Sequence, residues 1–204
     1  MKQTGLDKKE FLKNVSWIFG SKSIKSICNS IELIILARML GLEVFGVLTL
    51  VIAYVKILNR LFDFRVWESV VKYVGEFKEK GQDLKVLSII KLSYFIDIFT
   101  GILAFVISIL LANYGNQLFV KSLDGFSFIV IFSFSLLFAT ANSTSEALFR
   151  VFDKFKTITF VNSAESIFKL LLVLVVLLLG YGIKGVLISY IVTSLFGFIL
   201  RQIY

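Results

Sequence analysis

Long apolar runs divide the chain into six segments, at about 15–37, 44–64, 86–112, 126–149, 157–179 and 183–203. Each reaches the roughly 20 residues that an α-helix needs to cross a hydrocarbon core. Backbone groups in lipid must bond within their own element, so runs of this kind are read as helices. The period-two alternation of a membrane barrel is absent. The stretch 65–80 follows a different pattern. Trp67, Val70, Val71, Val74 and Phe77 recur at helical spacing among Lys72, Glu76, Lys78 and Lys80. That pattern predicts an amphipathic helix lying on the membrane surface. The expected organisation is an N-terminal cytoplasmic segment, 1–14, and an all-α bundle of six transmembrane helices over 15–204.

The runs are not uniformly apolar. Lys22, Lys25, Asn29 and Glu32 are spaced three, four and three apart, which puts them on one face of the first helix. The second run carries Lys56, Asn59, Arg60 and Asp63, the fourth Asn142, Glu146 and Arg150, the fifth Asn162, Glu165 and Lys169. A charge facing lipid near the bilayer centre costs several kcal/mol, so these stripes face protein or a wet cavity. Lys22, Lys25, Asn29, Glu32, Lys56, Asn59, Asn142, Glu146, Asn162, Glu165 and Lys169 are therefore candidate cavity residues. Several lysines in a low-dielectric wall favour an anion, phosphate in particular.

Plainer readings stand beside that one. Arg60, Asp63 and Arg150 lie near predicted helix ends and are placed to snorkel. Glu32 or Glu146 paired with a lysine would be a structural ion pair. Ser93, Asp97, Thr100, Ala104 and Ser108 form a stripe in the third run that reads equally well as a helix-packing face. The sequence has no proline, so a broken helix would need glycine or polar residues, with Gly20, Gly46, Gly101 and Gly197 as candidates.

Composition agrees with a membrane location. Of 204 residues, 57% are hydrophobic, more than a soluble domain of this size buries. The net charge of +8 is explained by placement. One side holds Lys2, Lys8, Lys9, Lys13, Arg65, Lys72, Lys78, Lys80, Lys85, Arg150, Lys154, Lys156 and Arg201; the other holds only Arg38, Lys121 and Lys184. This bias puts both termini in the cytoplasm of a multi-pass cell-membrane protein, in agreement with an even number of spans. It leaves no need for a nucleic-acid partner. The first run is long and polar-striped with no small-residue cleavage pattern behind it, unlike a signal peptide. With no histidine and a single cysteine, Cys28, there is no disulfide, metal cluster or nucleophile–base pair to expect. A phosphate-loop motif is also absent. No catalytic residue, metal or cofactor is expected, and the protein reads as a non-enzyme.

The stretch Ala37-Arg38-Met39-Leu40-Gly41-Leu42-Glu43-Val44-Phe45-Gly46 resembles the A-R-x-L-G-x-x-x-[FY]-G link between the first two helices of polysaccharide-biosynthesis flippases. These are the lipid-linked oligosaccharide translocases of the multidrug/oligosaccharidyl-lipid/polysaccharide exporter superfamily. Ala37, Arg38, Leu40, Gly41, Phe45 and Gly46 occupy the matching positions. Leu148-Phe149-Arg150-Val151-Phe152-Asp153-Lys154-Phe155 is similar to the family's R-x-x-[DE]-[KR]-[FY] turn, with Arg150, Asp153, Lys154 and Phe155 in register. The turn Gly180-Tyr181-Gly182-Ile183-Lys184-Gly185-Val186 fits as well.

The resemblance covers essentially the whole chain and implies one lobe of a two-lobe transporter. The substrate it implies is an undecaprenyl- or dolichyl-pyrophosphate carrying a short glycan. Its head would ride through a cationic cavity while its tail stays in the bilayer, by alternating access. Either the chain is a truncated or split product, or the second lobe comes from another chain or a second copy. A drug or small-molecule antiporter lobe is one alternative, although it would favour an acidic, aromatic cavity. A non-transporting membrane scaffold, with its stripes buried as helix contacts, is another.

Overall fold

The computed structural model describes residues 8–203. Its helices are α1 (Lys8–Leu40), α2 (Leu42–Phe62), α3 (Val66–Glu79), α4 (Asp83–Leu110), α5 (Ala112–Gly115), α6 (Gly125–Ser133), α7 (Leu136–Val151), α8 (Phe155–Leu178) and α9 (Gly182–Ile203); a π-helical turn, Asn116–Val120, follows α5. No strand occurs among the described residues. The protein is a polytopic helical bundle. α1 lies along α8, α8 along α9, α4 against α3 and α7, and α2 against α6. Residues 1–7 of the expected N-terminal segment lie outside the described residues, and from Lys8 onward the chain is already helical.

Five helical stretches are long and apolar enough to cross a membrane: α2, α4, α6 with α7, α8 and α9. The run expected to be the first of six spans lies in α1. At 33 residues α1 is about 50 Å long, ample for a crossing. Its polar stripe is what separates it from the five.

The core takes Leu48, Val51 and Val55 from α2, Ile129 from α6, Val173 from α8, and Val186 and Leu187 from α9. A second cluster joins Val70 and Val74 of α3 to Val86 of α4 and Ala147 of α7. The amphipathic helix therefore turns its apolar face onto the bundle. Its outer face carries exposed charge. A hydrogen bond from Lys80 holds the Glu76 carboxyl below its ordinary range.

Helix ends follow local chemistry. α3 stops at Gly81 (φ +66°), where the Gln82 N–H donates to the Phe77 carbonyl and the Gly81 N–H to the Lys78 carbonyl. This is the Schellman pattern, which needs a left-handed residue. α7 ends in the same way at Asp153 (φ +55°), a residue type that tolerates this conformation better than most.

Three expectations shift. The link between the first two helices is shorter than the hydropathy suggested, because Arg38, Met39 and Leu40 continue α1 and Leu42 and Glu43 already belong to α2. Only Gly41 (φ +77°) leaves the helix. The connection after the third run is not all loop: α4 ends at Leu110, close to the expected 112, and α5 and the π-helical turn then carry helical backbone on to Val120. The fourth run is broken at Phe134–Ser135, where α6 stops and α7 starts. None of the four candidate glycines breaks a helix. The break is made by serines. Ser133 Oγ donates to the Ile129 carbonyl and Ser135 Oγ to the Phe132 carbonyl, both at 2.7 Å. The neighbouring amides tighten to three-residue bonds, such as Ser135 N–H to the Phe132 carbonyl at 3.0 Å. Hydroxyls competing for carbonyls in this way bend helices.

The small-residue stripe of α4 is buried at every position, Ser93, Asp97, Thr100, Gly101, Ala104 and Ser108. Ser108 meets Ser133 of α6 at 2.7 Å. The stripe is a packing face.

Candidate functional site

α1 and α2 fold back on one another at Gly41, and a cavity of about 330 Å³ lies between them. Asn29, Glu32, Leu33 and Leu36 face it from α1, and Phe45, Leu48, Thr49, Ile52 and Lys56 from α2. Phe132 of α6, Lys169 of α8 and Tyr190 of α9 close it. Both sets follow the i, i+3, i+4, i+7 pattern, so each is a single helical face. Near Gly41 the wall is apolar. About two to four turns away, around Glu32 and Lys56, it is charged.

Lys169 organises the charged part. Its ammonium donates to Glu32 Oε2 at 2.6 Å and to Asn29 Oδ1 at 2.9 Å, and it lies 5.3 Å from the centre of the Tyr190 ring. Glu32 is 3% exposed. The polar stripes of α1 and α8 thus meet, and they cross-link the two helices. Lys56 reaches the cavity from α2 with no ion pair among the described residues. A second cavity of about 250 Å³ adjoins the first; Lys56, Phe132 and Tyr190 line both, and Asn59 lines the second.

The other candidates fall elsewhere. Lys22 and Lys25 sit on α1 below Asn29 and are exposed. Glu146 accepts a 2.6 Å bond from Arg150 one turn on. Both line a separate hollow with Trp67, between α3 and α7. Asn142, Asn162 and Glu165 gather around Arg201. That guanidinium donates to Glu165 Oε2 at 2.7 Å, Asn162 Oδ1 at 2.8 Å and Asn142 Oδ1 at 3.3 Å. The Arg201 side chain is 6% exposed. Gln202 extends the knot to Tyr94 and Ser145, each at 3.3 Å. The eleven residues therefore divide among a central cavity, a polar knot joining α7, α8 and α9, a hollow beside α3, and the open face of α1.

Tyr190 and Arg201 went unnoticed as site residues in the sequence. Gly197 is the clue to Arg201. It lies one turn before the arginine, and a Cβ there would stand 2.6 Å from Arg201 Nη1 and 2.7 Å from Glu165 Cδ. The motif residues have structural duties of their own. Gly41 makes the joint, Arg38 lies in the last turn of α1 where a cation suits the helix dipole, Asp153 closes α7, Lys154 stands just before α8, and Phe155 opens it.

A multi-pass helical membrane bundle with a charged cavity between its first helices is the class these features define. The polysaccharide biosynthesis protein family matches residues 11–204, and the chain belongs to it. It is similar to inner membrane protein YghQ of Escherichia coli (strain K12), with 24% identity over 148 residues that cover 72% of this chain and 41% of that protein. The chain thus spans less than half the length of the curated relative it matches. No solved structure matches it with significance.

Proposed function

We propose that this chain forms one lobe of a flippase that carries lipid-pyrophosphate-linked oligosaccharide across the cell membrane for polysaccharide biosynthesis. The observation that carries this reading is the cavity at the α1–α2 hinge. Lys56 and Lys169 stand in a wall that turns apolar toward Gly41, a gradient suited to a charged head joined to an oily tail. Membership of the polysaccharide biosynthesis family supports it. In this reading both termini face the cytoplasm, α1 is the sixth span, and its exposed Lys22 and Lys25 face the second lobe or the wet path between lobes. The chain moves its cargo by binding and release, without covalent chemistry.

The test uses the full chain in lipid nanodiscs with farnesyl diphosphate as a soluble lipid-pyrophosphate probe. Lys56→Gln and Lys25→Gln should each weaken binding by about three- to tenfold, the value of one partly screened charge contact. Parent-like affinity in both variants refutes the phosphate role.

A further inference from the structure

We propose that Glu32 reads the sugar: its free carboxylate oxygen accepts a hydrogen bond from a glycan hydroxyl or amide N–H, while Lys56 across the cavity holds the adjoining phosphate. This rests on the flippase reading above and adds the division of labour within its site.

Lys169 is one of the two lysines that line the cavity, yet its ammonium is taken by Glu32 Oε2, Asn29 Oδ1 and the Tyr190 ring. It holds Glu32 in place. The carboxylate has a second oxygen, Oε1, and this atom is buried with no hydrogen-bond partner. Glu32 as a whole is 97% removed from solvent, being 3% exposed, and it lines the cavity. A buried acceptor left without a donor is rare and costly in a folded protein. Lys56 lines the same cavity from the opposite helix and is in no ion pair among the described residues. The site therefore offers one unmet acceptor on α1 and one unmet cation on α2.

Few ligand chemistries answer both. An organic cation would satisfy Glu32 but meet two lysines. Bare phosphate would satisfy Lys56 but face the Glu32 carboxylate. A sugar bearing a phosphate carries donors beside the anion, and it places the two where the site wants them. Glu32 is then a specificity residue that tells a glycosylated lipid from the naked carrier.

The experiment compares two probes on the full chain in nanodiscs, farnesyl diphosphate and its N-acetylglucosamine-linked counterpart. The parent should bind the sugar-bearing lipid about ten- to a hundredfold more tightly, as one charge-assisted hydrogen bond allows. In Glu32→Gln the amide oxygen stays on Lys169 and the NH₂ group faces the cavity, replacing an acceptor by a donor. The advantage of the sugar should vanish, because the sugar-bearing lipid loses its acceptor while the bare lipid, freed of the facing carboxylate, binds as tightly as before or more tightly. A Glu32→Met/Lys169→Met double variant removes both charges together and guards against a misfolded single variant; it too should lose the advantage. Survival of the sugar's advantage in either variant overturns the inference, as does an equal loss for both probes or equal binding of both by the parent. If the parent binds neither probe, the flippase reading falls and this inference with it.

Discussion

Arg201→Met should be among the most damaging single substitutions in the bundle. The change keeps a long apolar stem and removes the guanidinium. It deletes the bonds to Glu165 and Asn162 at 2.7 and 2.8 Å and the weaker one to Asn142 at 3.3 Å. Glu165, whose side chain is 25% exposed, is left without its counter-charge. Breaking a buried pair by removing one partner costs about 3–5 kcal/mol. The partial exposure of Glu165 places this site near the lower figure, about 3 kcal/mol. Reversible unfolding by SDS in mixed micelles, followed by circular dichroism, measures it. The double variant Glu165→Met/Arg201→Met should recover about 2 kcal/mol of the loss, because no charge is then stranded. Gly197→Ala provides an internal check. In an unobstructed helix it would stabilise by about 1 kcal/mol, but here the new methyl meets Arg201 and Glu165 and should cancel that gain. An Arg201→Met loss below about 0.5 kcal/mol, or strictly additive effects in the double variant, would show that the knot does not hold α7, α8 and α9 together.

Two further predictions address backbone and burial. Arg65 precedes α3 in the left-handed conformation (φ +52°), so Arg65→Gly should be more stable than Arg65→Ala by about 1 kcal/mol in the same titration; the two variants lose the same contacts to Glu68 and Trp67, so equal stability would refute backbone strain there. Cys28 is buried on the α1 face that packs against the bundle, so a maleimide should leave it unmodified in nanodiscs and react fully after SDS; rapid labelling of the folded protein would mean that α1 stands off the bundle.

Hydropathy and residue spacing carried the helical class and the stripes. Hydropathy marks where a helix runs, and spacing marks which residues share a face. That is why Asn29 and Glu32 were recognisable as one stripe and Lys169 as part of another. Neither pattern states which stripes meet, so the bond from Lys169 to Glu32 could be read only from the packing of α1 along α8. Arg201 shows a further limit. Counted along the chain it belongs to the basic cytoplasmic bias, but its side chain folds back over Gly197 into the bundle. The break at Phe134–Ser135 was hidden for a similar reason. Two serines in a strongly apolar run barely change its hydropathy, yet their hydroxyls compete for backbone carbonyls. The shared-cavity grouping assumed that all polar faces converge, whereas Glu146 and Arg150 point to a hollow beside α3.

Gly41 has a bearing on chain length. The two main walls of the central cavity are printed on either side of a one-residue crease, like facing pages. Adding or deleting a single residue in the helical turns that flank it would swing one page by about 100° and carry Lys56 or Glu32 out of the opening they share. The alignment of the two pages is thus stored in a count of residues, and this short stretch has less freedom to change its length than to change its side chains.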